Sequence, residues 1–173
     1  MGYQLIETIE VGSGGAASIE FTGIPQDAQD VQVLLSARTT GVISATTDFV
    51  NVRFNSNSSS VYSEVRLQGS GSGVANDSFS GNRILRLLLV NGNTSTANTF
   101  GNSSLYVSNY SSSSNKSISI DSVDEANATA AQMAIGAALF ASSAAITTLT
   151  LTPESGGDFV EYTTASLYKI TAD

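Results

Sequence analysis

Any chemistry this chain performs must rest chiefly on carboxylates, hydroxyls and amides, because its 173 residues include no histidine and no cysteine. The first absence removes the usual proton shuttle at physiological pH and the commonest metal ligand. The second removes disulfides and thiolate metal sites. Ser-His-Asp and Cys-His catalysis are therefore impossible within the chain. Two groups of acids remain. Asp121, Asp124 and Glu125 lie in "DSVDE", a loose likeness of a calcium loop. An EF-hand requires oxygen ligands at its first, third and fifth positions and glycine at its sixth, and Val123 and the missing glycine break that pattern. We read the segment as a surface loop, and as the first place to look should a cation be present. Glu154, Asp158 and Glu161 surround a predicted turn. Paired carboxylates can hydrolyse glycosides, but solvent at a turn leaves them ordinary acids, and no tryptophan supplies a sugar platform. No enzyme and no cofactor are expected.

Other motifs carry less. Asn-x-Ser/Thr triplets occur at Asn57, Asn76, Asn93, Asn102, Asn109, Asn115 and Asn127, as chance provides in a chain this rich in those residues. "GSGSG" at 69–73 lacks the lysine of a phosphate loop and reads as a flexible turn. Tyr62, Tyr106, Tyr110, Tyr162 and Tyr168 are candidates for surface contact, since loop tyrosine among Ser, Asn and Gly makes an adaptable binding surface. For most of them a place beside the core is the plainer expectation. Tyr110 is the exception, standing next to a run of four serines. The segment Tyr110, Ser111, Ser112, Ser113, Ser114, Asn115 and Lys116 is the candidate contact loop.

The elements that position these residues follow a period of two. "DVQVLLSAR" aligns Val31, Val33, Leu35 and Ala37, and "FVNVRF" aligns Val50, Val52 and Phe54 against Asn51 and Arg53. "VYSEVRL" sets Val61, Val65 and Leu67 against Tyr62, Glu64 and Arg66, and "YQLIETIEV" sets Tyr3, Leu5, Ile9 and Val11 on one side with Glu7 as the exception. Such alternation describes strands with one buried and one wet face. "NRILRLLLVNG" is more continuously apolar, as in a strand buried on both faces. "AQMAIGAALFA" could form a helix, yet Gly136 and its strand-like neighbours favour a strand. "ITTLTLTP" and "DFVEYTTASLYKI" complete the chain as strands, joined by "PESGG" as a hairpin turn.

About ten strands separated by polar turns predict an all-β fold, an antiparallel, jelly-roll-like β-sandwich forming one domain over 1–173. "SNYSSSSNK" then reads as the tip of a hairpin whose base is pinned by Leu105, Val107, Ile118 and Ile120. The alternative is a disordered linker between two lobes, each a small sheet of marginal stability.

Bulk composition limits the partners. Hydrophobic residues make up 41% and charged residues 13%, about half the usual charged share, which is not the pattern of a disordered chain. The net charge of −8 and scattered basic residues oppose binding to a phosphate backbone, so no nucleic-acid partner is expected. No apolar run approaches the ~18 residues of a membrane-spanning helix. "MGYQLIETIEV" lacks the basic and apolar regions of a signal peptide.

Four segments together, "YQLIETIEVGSGGAASIEFTGIPQDAQDVQVLLSAR", "VNVRFNSNSSSVYSEVRLQGSG", "NTFGNSSLYVSNYSSSSNKSISIDSV" and "ITTLTLTPESGGDFVEYTTASLYKI", resemble a β-rich domain of virion structural proteins in tailed bacteriophages. The likeness runs along essentially the whole chain, and no catalytic residues come with it. It implies a particle component assembled in the bacterial cytoplasm and exposed on the virion surface. Its partners would be the major capsid protein or tail and fibre components. Low charge, small polar side chains and strand-like termini predict association with copies of itself, most simply as a trimer. Without coiled-coil heptads or a collagen-like shaft, a head decoration protein is expected ahead of a complete fibre. Two further readings are a tail or head fibre module binding a host surface glycan, and a carbohydrate-active enzyme.

Overall fold

The computed structural model describes residues 2–82, 85–127 and 131–171. They contain no helix and form twelve strands. These are β1 (Gly2–Glu10), β2 (Ile19–Phe21), β3 (Asp30–Ala37), β4 (Thr47–Phe54), β5 (Tyr62–Ser70), β6 (Gly73–Asn82), β7 (Leu85–Asn91), β8 (Gly101–Val107), β9 (Lys116–Asp124), β10 (Gln132–Phe140), β11 (Leu149–Pro153) and β12 (Thr164–Thr171). The alternation of Val, Leu and Ile with polar residues produces them, and every ladder between them is antiparallel.

One sheet runs β1-β12-β3-β8-β9-β10-β5-β6 and the other β2-β11-β4-β7. Setting β5, β6, β9 and β10 aside leaves β1-β12-β3-β8 facing β2-β11-β4-β7. Successive strands along the chain then alternate between layers, except that β4 and β7 pair within one, as in a jelly roll. The four remaining strands are two hairpins, β5–β6 inserted between β4 and β7, and β9–β10 inserted between β8 and β11. Both add to the same edge and extend the larger sheet.

The core lies where the two four-stranded layers overlap. Val33, Leu35, Leu105 and Leu167 from one sheet meet Phe21, Val52, Leu88 and Leu151 from the other, all of them buried. Tyr62 and Phe140 stack at 5.0 Å beside Phe54, and the Tyr62 hydroxyl accepts from the Phe54 amide at 3.1 Å. This cluster fastens the inserted strands to the original sandwich.

Four expectations change in detail. Residues 158–163 of "DFVEYTTASLYKI" form a bridge and a turn, so β12 begins only at Thr164. "PESGG" turns the chain, but from one sheet to the other and not within a hairpin. In β1 a bulge between Leu5 and Glu7 shifts the register, turning Ile6 and Ile9 towards the core and leaving Tyr3 and Leu5 exposed. In β5 the two faces are exchanged: Tyr62, Glu64 and Arg66 turn inward, while Val65 and Leu67 face solvent. The reason lies in the layers. Beyond β10 the smaller sheet ends at β7, so past Tyr62 the inner side of β5 and β6 meets only its margin, where Arg66 lies on the Phe49 ring and the Arg86 amide reaches Glu64. Arg83 and Ile84 of "NRILRLLLVNG" lie outside the described residues.

Candidate interaction surfaces

The serine run is a hairpin tip, as expected. It joins β8 to β9, with Leu105 opposite Ile120 and Val107 opposite Ile118, all four buried. It is not a free loop. Tyr110 and Lys116 are fully buried, which corrects their assignment to an exposed contact surface. The tip folds back over the end of the sandwich, where the Tyr110 hydroxyl donates to the Pro25 carbonyl and the Tyr110 carbonyl accepts from the Ile146 amide at 2.9 Å. Burial raises the pKa of this phenol. Asn109 takes a left-handed conformation (φ 52°) that asparagine tolerates well, and its amide donates to Asp30 Oδ1 at 2.8 Å.

Lys116 closes the base of the loop. Its Nζ donates to the carbonyls of Ser112, Ser142 and Ala144 at 2.9, 3.1 and 2.5 Å. These three bonds use all the donors of the ammonium and tie the hairpin to the segment after β10. Loss of hydration pulls its pKa down. Ser111 Oγ donates to the Ala28 carbonyl at 3.0 Å, and Ser112 is half-buried. Only Ser113, Ser114 and Asn115 are left exposed as a contact surface. Nearby, the Tyr106 hydroxyl donates to Asp30 Oδ2 at 2.5 Å, and that bond with the carboxylate pushes its pKa up to about 12.

The acids considered for a cation do not converge. Asp121 points out from β9 and Asp124 points inward, fully buried, where it accepts from Thr47 Oγ1. Burial raises the Asp124 pKa against the effect of that bond. Glu125 is exposed and receives the Asn127 amide at 2.6 Å. Among the described residues no group of three potential ligands gathers. Of the acids near the "PESGG" turn, Glu154 is engaged with Arg86 at 2.7 Å, and Asp158 is exposed.

Two features of the inserted hairpins escape a period-of-two reading. The first is a charged layer on their inner side. Arg66 pairs with Asp77 at 2.6 Å and its guanidinium lies 4.7 Å from the centre of the Phe49 ring. The Arg86 amide donates to Glu64 Oε2 at 3.0 Å. Burial raises the Glu64 pKa and outweighs this bond and the Arg66 and Arg86 cations, which lower it.

The second is the outer side of the same strands. Val65 and Leu67 on β5, Val74 on β6, and Met133, Ile135, Ala137 and Leu139 on β10 all face out. In register, Ile135 lies opposite Leu67, and Ala137 opposite Val65. Val123 on β9 continues the patch beside Met133. All charged residues of β5 and β6 occupy the inward positions, and β10 has none. The rest of the outer face is more mixed, with Leu34 of β3 exposed among polar residues. There a groove of about 310 Å³ is bordered by Ser36, Asn102, Asp121 and Ser166 and by Leu34 and Val123.

The chain matches no protein-family model, no curated protein and no solved structure.

Proposed function

We propose that this protein is a non-enzymatic structural component of a bacteriophage particle, a head decoration protein that associates with the capsid lattice. The observation that carries the reading is the outer face of β5 and β10, with Val74 of β6 beside it, which is largely apolar, uncharged and open to solvent. Strands that turn their charges inward and Val, Leu and Ile to solvent are arranged for association. The jelly roll is a frame that viral capsid proteins share with lectins and other proteins, so it agrees with this reading without requiring it. The sequence resemblance supplies the particle. With no cysteine, the fold is also indifferent to redox state outside a cell. Purifying particles on a density gradient and measuring their protein content by mass spectrometry tests this. The chain is expected to band with filled heads in high copy. Its absence from the particles overturns the reading.

A second reading, a fibre module that binds a host glycan, draws on the groove between β12 and β9, where hydroxyls, an amide and Asp121 stand beside Leu34 and Val123 and offer hydrogen bonds to a sugar. Binding on a glycan array that Asp121→Asn removes would favour it.

A further inference from the structure

We infer that the outer face of β5, β6 and β10 is a two-fold interface, and that its occupant is the same face of a second copy of this chain. The inference deepens the reading above by naming the partner at that face. Val65, Leu67, Val74, Val123, Met133, Ile135, Ala137 and Leu139 leave on the order of 700 Å² open to solvent. That exceeds the few hundred Å² a soluble monomer usually leaves in one patch, and approaches the ~800 Å² each partner contributes to a standard interface.

Charge argues for a second copy. The chain carries −8, so two copies repel each other wherever their acids meet. Across β5, β6 and β10 no charged side chain faces out, so two such faces meet without repulsion or loss of ionic hydration. Asp121, opposite Ile135 on β9, marks where the apolar surface gives way to polar residues, and it would stay at the wet rim.

Symmetry argues for a pair. A three-fold ring needs two different complementary patches on each copy, whereas a two-fold contact needs one patch that matches itself. Strand β10 runs through the middle of the patch, between β5 and β9. An axis between Leu67 of β5 and Ile135 of β10 lays these two strands across their counterparts, leaves β9 with Asp121 outside them, and sets the sheets ~10 Å apart as in other face-to-face packings. A dimer here stands in place of the trimer expected from low charge, small polar side chains and strand-like termini.

The test is sedimentation velocity of the whole chain, beside the double variant Leu67→Asp/Ile135→Asp. Both side chains are exposed in the single copy, so the variant should keep its circular dichroism spectrum. The unaltered chain is expected to sediment as a dimer, and the variant's dissociation constant to rise about thirtyfold or more, the scale of losing a central contact. A native monomer, a native trimer, or a dimer indifferent to the two aspartates overturns the inference. A monomer recovered on particles would leave the particle reading standing. Should the double variant unfold, single cysteines decide, since the chain has none of its own. With a bismaleimide whose spacer suits the ~10 Å between the sheets, Ile135→Cys is expected to be cross-linked to a dimer, and Thr8→Cys, on the opposite edge strand, to remain a monomer under denaturing conditions. Equal cross-linking of the two overturns the inference.

Discussion

Arg66 and Asp77 face each other across the β5–β6 ladder, Nη2 to Oδ2 at 2.6 Å, on the inner side of strands whose outer side carries Val65 and Leu67. The pair reverses the usual arrangement of a sheet, with charge under cover and hydrocarbon in water. Its members are unequal, because the Arg66 side chain is 12% exposed and that of Asp77 42%. Arg66→Ala leaves the Phe49 ring and the Arg86 carbonyl without the guanidinium and should cost about 1.5–3 kcal/mol. Asp77→Asn should cost less than about 1 kcal/mol, as exposed ion pairs do. Urea denaturation of both variants measures the difference, and equal losses would show that Arg66 acts only through Asp77.

The serine hairpin should respond residue by residue. Ser113→Gly and Ser114→Gly alter exposed positions and should change stability by less than about 0.5 kcal/mol. Ser111→Ala removes the donor to the Ala28 carbonyl and should cost about 1 kcal/mol. Ile120→Asp puts a carboxylate into the buried strand face and should leave the chain insoluble. Melting temperatures rank the three serine variants and the soluble fraction scores Ile120→Asp; a loss at Ser113 as large as that at Ser111 would mean the apex is tied down as well.

Lys116 is the strongest single restraint on that loop. Lys116→Met keeps the length of the side chain but leaves the carbonyls of Ser112, Ser142 and Ala144 without their shared donor. The three carbonyls lie on half-buried or exposed residues that water can reach, so the variant should lose about 1.5–3 kcal/mol in denaturant, the scale of a charged hydrogen-bonding group. Hydrogen exchange should show the loss first at the Ile146 amide, which is bonded to Tyr110.

Acid should relieve two buried groups. Glu64 and Asp124 both have pKa values raised by burial, so each holds its proton more tightly in the folded chain than in the unfolded one. Their cost is present above the raised values and is lifted as pH falls through them towards the ordinary carboxylate range. Against Glu64→Gln or Asp124→Asn, the unaltered chain should therefore gain stability between neutral and mildly acidic pH. Denaturation of each pair at several pH values measures this, and an unaltered chain that loses stability relative to its variant on acidification reverses the sign.

Much of this fold was legible in its sequence because alternation is local. Val50, Val52 and Phe54 on β4 and Val31, Val33 and Leu35 on β3 fall on the buried face that their spacing assigns. Gly136 did not prevent a strand through "AQMAIGAALFA". What alternation cannot say is which face of a strand meets another layer. In "VYSEVRL" the period is correct and the sides are exchanged, because β5 lies past the edge of the smaller sheet, a fact of topology. Tyr110 and Lys116 were misplaced for a similar reason. Their neighbours are polar, yet the loop folds onto Pro25, Ala28 and the chain after β10, contacts far away in sequence. The exposed apolar surface was invisible for as long as Val65 and Leu67 were counted as core.

The particle assignment is tested most directly by a cryo-electron microscopy map of intact phage whose purified particles contain this chain by mass spectrometry. The expected result is a jelly roll with two extra hairpins, in many copies on the outside of the head, with the β10 face covered by a second copy. Density for the chain only at a tail or fibre tip, or none on the particle, would contradict it.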